Sequence, residues 1–103
     1  MTEADLTRAC QLEATRIGAR LMRNNVGCLP DVRGVPVHFG LGIGSSDLIG
    51  WCPDAVFLAI EVKLPGRKPT REQARFIEAV RMAGGRAGVA YSVQDVARIV
   101  RGE

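Results

Sequence analysis

From Thr2 to about Met22 the apolar positions Leu6, Cys10, Ala14, Ile17 and Leu21 fall on one face at 100° per residue, which predicts one amphipathic helix. Thr2 stands as its N-cap, and Glu3 and Asp5 occupy the first turn, where the helix dipole favours acids. Glu13 falls inside the apolar face, where an unpaired carboxylate is costly, so it is expected to pair with an arginine such as Arg16 or Arg20. The run Arg23-Asn-Asn-Val-Gly ends the helix. Pro30, Gly34 and Pro36 then mark an irregular connection to a short strand near Val37-His-Phe, and Gly40, Gly42 and Gly44 follow it. Val56-Phe-Leu-Ala-Ile-Glu-Val-Lys is rich in β-formers and reads as the second arm of a hairpin. Thr70-Arg-Glu-Gln73 has the spacing of a capping box and opens a second helix that buries Phe76, Ile77 and Val80 and stops at Gly84-Gly85. Ala87 to Tyr91 reads as a buried strand parallel to the one carrying Glu61. Ser92 is placed to cap a last helix from Val93 to Val100, with Asp95 in its first turn. The predicted order is α-β-β-β-α-β-α, an α/β fold with a mixed β-sheet flanked by helices.

Charged residues interrupt this pattern at one place. Residues two apart on a strand share a face, so Glu61 and Lys63 project together. Asp47 faces them if residues 47 and 61 are opposite, a register whose paired numbers sum to 108 and which requires an odd-length loop such as Pro53-Asp54-Ala55 or a bulge. A two-residue turn at Pro53-Asp54 would put the two acids on opposite faces. Two carboxylates with a lysine suit phosphodiester hydrolysis. Asp47 and Glu61 can hold a hard divalent cation through oxygen, with water and the Val62 carbonyl completing the shell, while Lys63 orients the attacking water. The Leu64-to-Pro69 loop follows directly, and its Arg67 and Lys68 can grip a DNA phosphate.

Composition narrows the alternatives. A chain of 103 residues is expected to form one domain over residues 1–103, with function and core on the same unit and a radius of gyration of about 13 Å. No apolar run approaches membrane-spanning length and no signal peptide is recognisable, so a soluble cytoplasmic protein without membrane contact is expected. Cys10, Cys28 and Cys52 lack the spacing of a zinc site or a disulfide framework and read as reduced, mostly buried thiols. The net charge is +3, and of 14 basic residues only Lys63 and Lys68 are lysines. Arginine suits phosphate forks, although a GC-rich genome accounts for the same bias. Gly40-x-Gly-x-Gly precedes no helix and is followed by an acid, which excludes a dinucleotide loop. His38 reads as structural. Trp51 and Phe57 are open between core and a dimer face.

The segments Arg23-Asn-Asn-Val-Gly, Gly44-Ser-Ser-Asp-Leu-Ile, Ile60-Glu-Val-Lys, the Gly-Arg-Lys loop, Thr70-x-x-Gln and Gly84-Gly before a buried strand together resemble the PD-(D/E)XK nucleases, and within them the virus-type replication-repair nuclease (VRR-NUC) domain. The resemblance covers nearly the whole chain. It implies a restriction-endonuclease-like αβββαβ core and metal-dependent endonuclease activity with Mg²⁺ or Mn²⁺. It further implies a homodimer of phage or prophage type, acting in a bacterial host cell on branched DNA such as four-way (Holliday) junctions. Carried over, Asp47, Glu61 and Lys63 take the core roles. Gln73 matches a glutamine near the site, which its capping position explains equally well. The pattern also includes a glutamate on the first helix, for which Glu3 fits better than Glu13. The matching segments nominate Arg23, Asn24, Ser45 and Ser46 as DNA contacts beside Arg67 and Lys68. Ser46 stands where the motif usually has proline. Two other readings remain at this level: a DNA-binding module without catalysis, and a nuclease subunit that needs a replication or repair partner.

Overall fold

The computed structural model describes all 103 residues. Helix α1 spans Glu3–Arg16 and opens on a capping box in which Thr2 and Asp5 bond to each other's backbone. It is shorter than the periodicity predicts. Gly18 takes φ +86°, a left-handed conformation that suits glycine. The N–H groups of Gly18 and Ala19 then bond back to the carbonyls of Thr15 and Ala14, closing a Schellman cap. Leu21 therefore belongs to a strand, β1, spanning Arg20–Arg23. A second unpredicted strand, β2 (Gly27–Pro30), pairs only with β3 (Pro36–Phe39). The predicted strand near Val37 thus exists, but as half of a separate two-stranded arm.

The main sheet adds β4 (Leu48–Trp51), β5 (Phe57–Val62) and β6 (Arg86–Ala90) to β1, in the order β1-β4-β5-β6. β4 is antiparallel to both β1 and β5, and β6 runs parallel to β5. Helix α2 (Arg71–Met82) makes the crossover, and α3 (Gln94–Val100) closes the chain. The core is therefore αβββαβ with a mixed sheet, as expected, but its first strand is β1 and the arm is an insertion between β1 and β4. Ser92 does not cap α3. The Asp95 carboxylate reaches back instead to the N–H groups of Tyr91 and Ser92.

Side-chain alternation divides the sheet into two faces. Leu21, Leu48, Leu58, Ile60 and Val62 pack under α1 and α3 with Leu6, Cys10, Ala14, Val96 and Ile99. On the other face Ala59 and Ala87 pack under α2 with Ile77, flanked by Phe76 and Val80. Cys10 and Cys52 are buried, and Cys28 is exposed on the arm. The arm lengthens the molecule to 45 × 33 × 25 Å, with a radius of gyration of 14.1 Å. No helix is long and apolar enough to cross a membrane.

Candidate active site

The β4–β5 hairpin sets the site. Leu48 pairs with Ile60, Ile49 with Ala59, Gly50 with Leu58 and Trp51 with Phe57, so paired numbers sum to 108. The Cys52 N–H bonds to the Val56 carbonyl in the same register, which leaves Pro53-Asp54-Ala55 as a three-residue loop with Ala55 at φ +68°. Asp47 therefore meets Glu61 on the face that α2 covers. Asp47 Oδ2 accepts the Val62 N–H at 3.2 Å, and its own carbonyl accepts the Asn24 N–H at 2.7 Å. The residue is tied to β5 on one side and to the end of β1 on the other. The N–H and C=O of a strand residue leave on the same edge, so the Val62 carbonyl also opens beside Asp47.

Glu61 is 0% exposed, and neither carboxylate oxygen has a hydrogen-bond partner. Burial pushes its pKa from the ordinary 4.5 up to about 8; the adjacent Asp47 carboxylate pushes the same way, and Lys63 opposes them. Lys63 is half-buried and makes no ion pair, so an edge salt bridge with Glu61 is not the reason these charges share a face. A buried carboxylate with two orphaned oxygens facing a second carboxylate fits a hard divalent cation, which would satisfy both. No group of three or more His, Cys, Asp or Glu side chains gathers elsewhere to compete, nor does a third acid join this pair.

A cleft of about 380 Å³ opens beside Asp47, lined also by Arg23, Asn24, Ser45 and Gln73, which are far apart in sequence. Gln73 serves two ends. Its Oε1 accepts the Thr70 N–H at 2.8 Å, completing the α2 cap, while its Nε2 is left free. Gly44 permits this closure: at φ +87° it lies against the first turn of α2, where a Cβ would come within 2.6 Å of the Glu72 Cβ. Asn25 and Ile43 also line the cleft. The only sequence signal for Asn25 is its place in the Asn-Asn pair after β1, and nothing in the sequence marks Ile43. Arg67 and Lys68 are exposed on the turn after Lys63, and like Arg23 they make no ion pair. A larger cleft of about 530 Å³ at the β6 edge is lined by Arg81, Arg86 and Arg98. Those guanidiniums are engaged by the Ala87 and Val100 carbonyls, Asp54 and Asp95, and no pair of facing carboxylates lines it.

Two predicted site residues stand apart from this arrangement, and a third, Asn24, lines the cleft with its amide bonded to Ser45 and Ser46. Ser46 is 1% exposed with its hydroxyl buried and unpartnered, so it presents nothing to a phosphate. Glu3 is exposed in the first turn of α1 and belongs to no group of three or more acidic, His or Cys side chains. The Asn24 amide is turned inward. Glu13, the other first-helix candidate, is held by Arg16 at 2.6 Å, and this bond lowers its pKa.

The model of the VRR-NUC domain family matches residues 13–94. A solved structure described as a VRR_NUC domain superposes with a TM-score of 0.65 at 22% identity, covering 96% of this chain and 94% of that one, a likeness of fold. No curated protein matches the chain.

Proposed function

We propose that this chain, which belongs to the VRR-NUC domain family, is a metal-dependent endonuclease that uses Asp47, Glu61 and Lys63 to hydrolyse DNA phosphodiester bonds. Membership of the family makes it a nuclease-type, DNA-binding domain, and such nucleases generally depend on a divalent metal. The observation that carries the finer reading is the orphaned Glu61 carboxylate facing Asp47.

In this mechanism Asp47, Glu61 and the Val62 carbonyl would hold Mg²⁺ or Mn²⁺. When bound, the ion would supply charge neutralisation at the scissile phosphate and Lewis acidity toward water. Lys63, spent on no ion pair, donates to the attacking water and to the oxygen that gains charge in the transition state. Gln73 Nε2 offers a neutral donor to the same cleft. Arg23, Arg67 and Lys68 fix the backbone by its phosphates without reading sequence.

Branched DNA as substrate and a homodimer as the working form belong to the same proposal. The dimer is supported by the arm. Leu29, Val37 and Phe39 share one of its faces and are exposed, and a lone two-stranded hairpin is marginal in water without another layer. Two copies about a two-fold axis suit symmetric cuts at a junction.

The test is cleavage of labelled four-way junction, flap and linear duplex with Mg²⁺, Mn²⁺ or EDTA, beside Glu61→Ala. Metal-dependent paired nicks in the junction, absent from the variant, are expected. Binding without cutting would replace this reading with a binding module or a subunit awaiting its partner.

A further inference from the structure

Asn24 lies half-buried at the end of β1 and touches the cleft, but its amide is committed to the protein. Nδ2 donates to Ser45 Oγ at 2.8 Å and to the Ser46 carbonyl at 2.9 Å, and Oδ1 accepts the Leu41 N–H at 3.2 Å. An asparagine amide has two donor hydrogens, and both are used, so none remains for a phosphate. The segment it clips has few ties of its own: the Ser45 N–H and Oγ both donate to the Gly42 carbonyl, and Gly44 rests against Glu72. Between β3 and β4 it pairs with no strand, and Gly40, Gly42 and Gly44 leave it a large conformational entropy to lose. Asp47 stands at its end, and the Asn24 main-chain N–H holds the Asp47 carbonyl.

We propose that Asn24 is a positioning residue of the cation site: by clipping Leu41–Ser46 to the end of β1 it holds Asp47 opposite Glu61, and so sets the affinity for the divalent ion. The proposal rests on the nuclease reading for the presence of that ion. It reassigns Asn24 from a DNA contact to a support of the site and couples the root of the arm to the catalytic carboxylate.

The test measures Mn²⁺ binding by electron paramagnetic resonance without DNA, and DNA affinity in EDTA, for the full chain and for Asn24→Ala. Loss of a group that orients a metal ligand typically weakens binding by about 10- to 100-fold. Asn24→Ala is expected to weaken Mn²⁺ by about tenfold, to recover its cleavage rate at high Mn²⁺, and to bind DNA in EDTA as the parent does. If Asn24→Ala fails to fold, Ser45→Ala, which removes one partner of the clip, is expected to weaken Mn²⁺ in the same direction by a smaller factor. Unchanged Mn²⁺ affinity in the folded variant, with or without a loss of DNA affinity, overturns the positioning role alone. Absence of Mn²⁺ binding by the unaltered chain overturns this proposal and the metal reading together.

Discussion

Glu61 makes a testable link between the site and the stability of the whole domain. Its folded pKa is raised to about 8 from an ordinary 4.5, first by burial and then by Asp47. Between those two values the folded protein holds a proton that the unfolded chain has released. Stability must therefore fall as pH rises from about 4.5 through about 8, and it is fully retained only below that window. At about 1.36 kcal/mol per pH unit, the interval from 4.5 to about 8 amounts to about 5 kcal/mol. A domain of this size has a total stability of about 5–15 kcal/mol. Relaxation around the carboxylate will reduce the loss, but even about 2 kcal/mol moves Tm by roughly 10 °C. The assay is thermal unfolding from pH 5 to 8.5 in EDTA for the parent and Glu61→Gln. The parent is expected to lose stability across the window while Glu61→Gln holds level, the two being similar at pH 5 and the variant more stable at pH 8.5. Millimolar Mg²⁺ or Mn²⁺ at pH 8.5 should then stabilise the parent and leave the variant unmoved, because a ligand stabilises only the state that binds it. Superimposed pH profiles, or equal stabilisation of both proteins by the cation, would refute the assignment of Glu61 as a strained ligand.

Two further substitutions separate catalysis from contact. Lys63→Met should lower the single-turnover cleavage rate by about 10²- to 10³-fold, as loss of a transition-state donor does, while DNA affinity in EDTA changes little; a matching loss of affinity would make Lys63 a phosphate grip. Ser46→Ala removes a buried hydroxyl without a partner and is expected to raise stability by about 1 kcal/mol in denaturant titration with DNA binding unaffected; weaker binding would restore Ser46 as a DNA contact.

The parts of this site that were legible in the sequence are those governed by local rules. Strand parity puts Glu61 and Lys63 on one face, and setting Asp47 opposite Glu61 for its chemistry calls for an odd loop or a bulge, of which the structure has the odd loop at Pro53-Asp54-Ala55. The caps at Thr2 and Thr70 are equally local. Strand β1 was hidden because Leu21 follows Ile17 by four residues and so continues the helical period through Gly18. A single glycine is ambiguous between a weak helix interior and a helix end. Helices α2 and α3 end in the same way, at Gly84 and Gly102, but the first of those signals is doubled by Gly85 while Gly18 stands alone. Strand β2 was hidden because Gly27-Cys-Leu-Pro30 carries turn formers at both ends and pairs with nothing but β3.

The misplaced helix end matters beyond its own boundary. The resemblance nominates Asn24 as a DNA contact through its place in Arg23-Asn-Asn-Val-Gly, and with residues 17–22 read as helix nothing in the sequence ties it to Asp47. Once Arg20–Arg23 pairs with Leu48–Trp51, chain continuity brings residue 24 beside residue 47, and the intervening arm must return to the same point. The side-chain chemistry of asparagine is the same in both cases. Topology decides its partners, so the strand hidden behind Gly18 turns Asn24 from a DNA contact into the clip that holds Asp47.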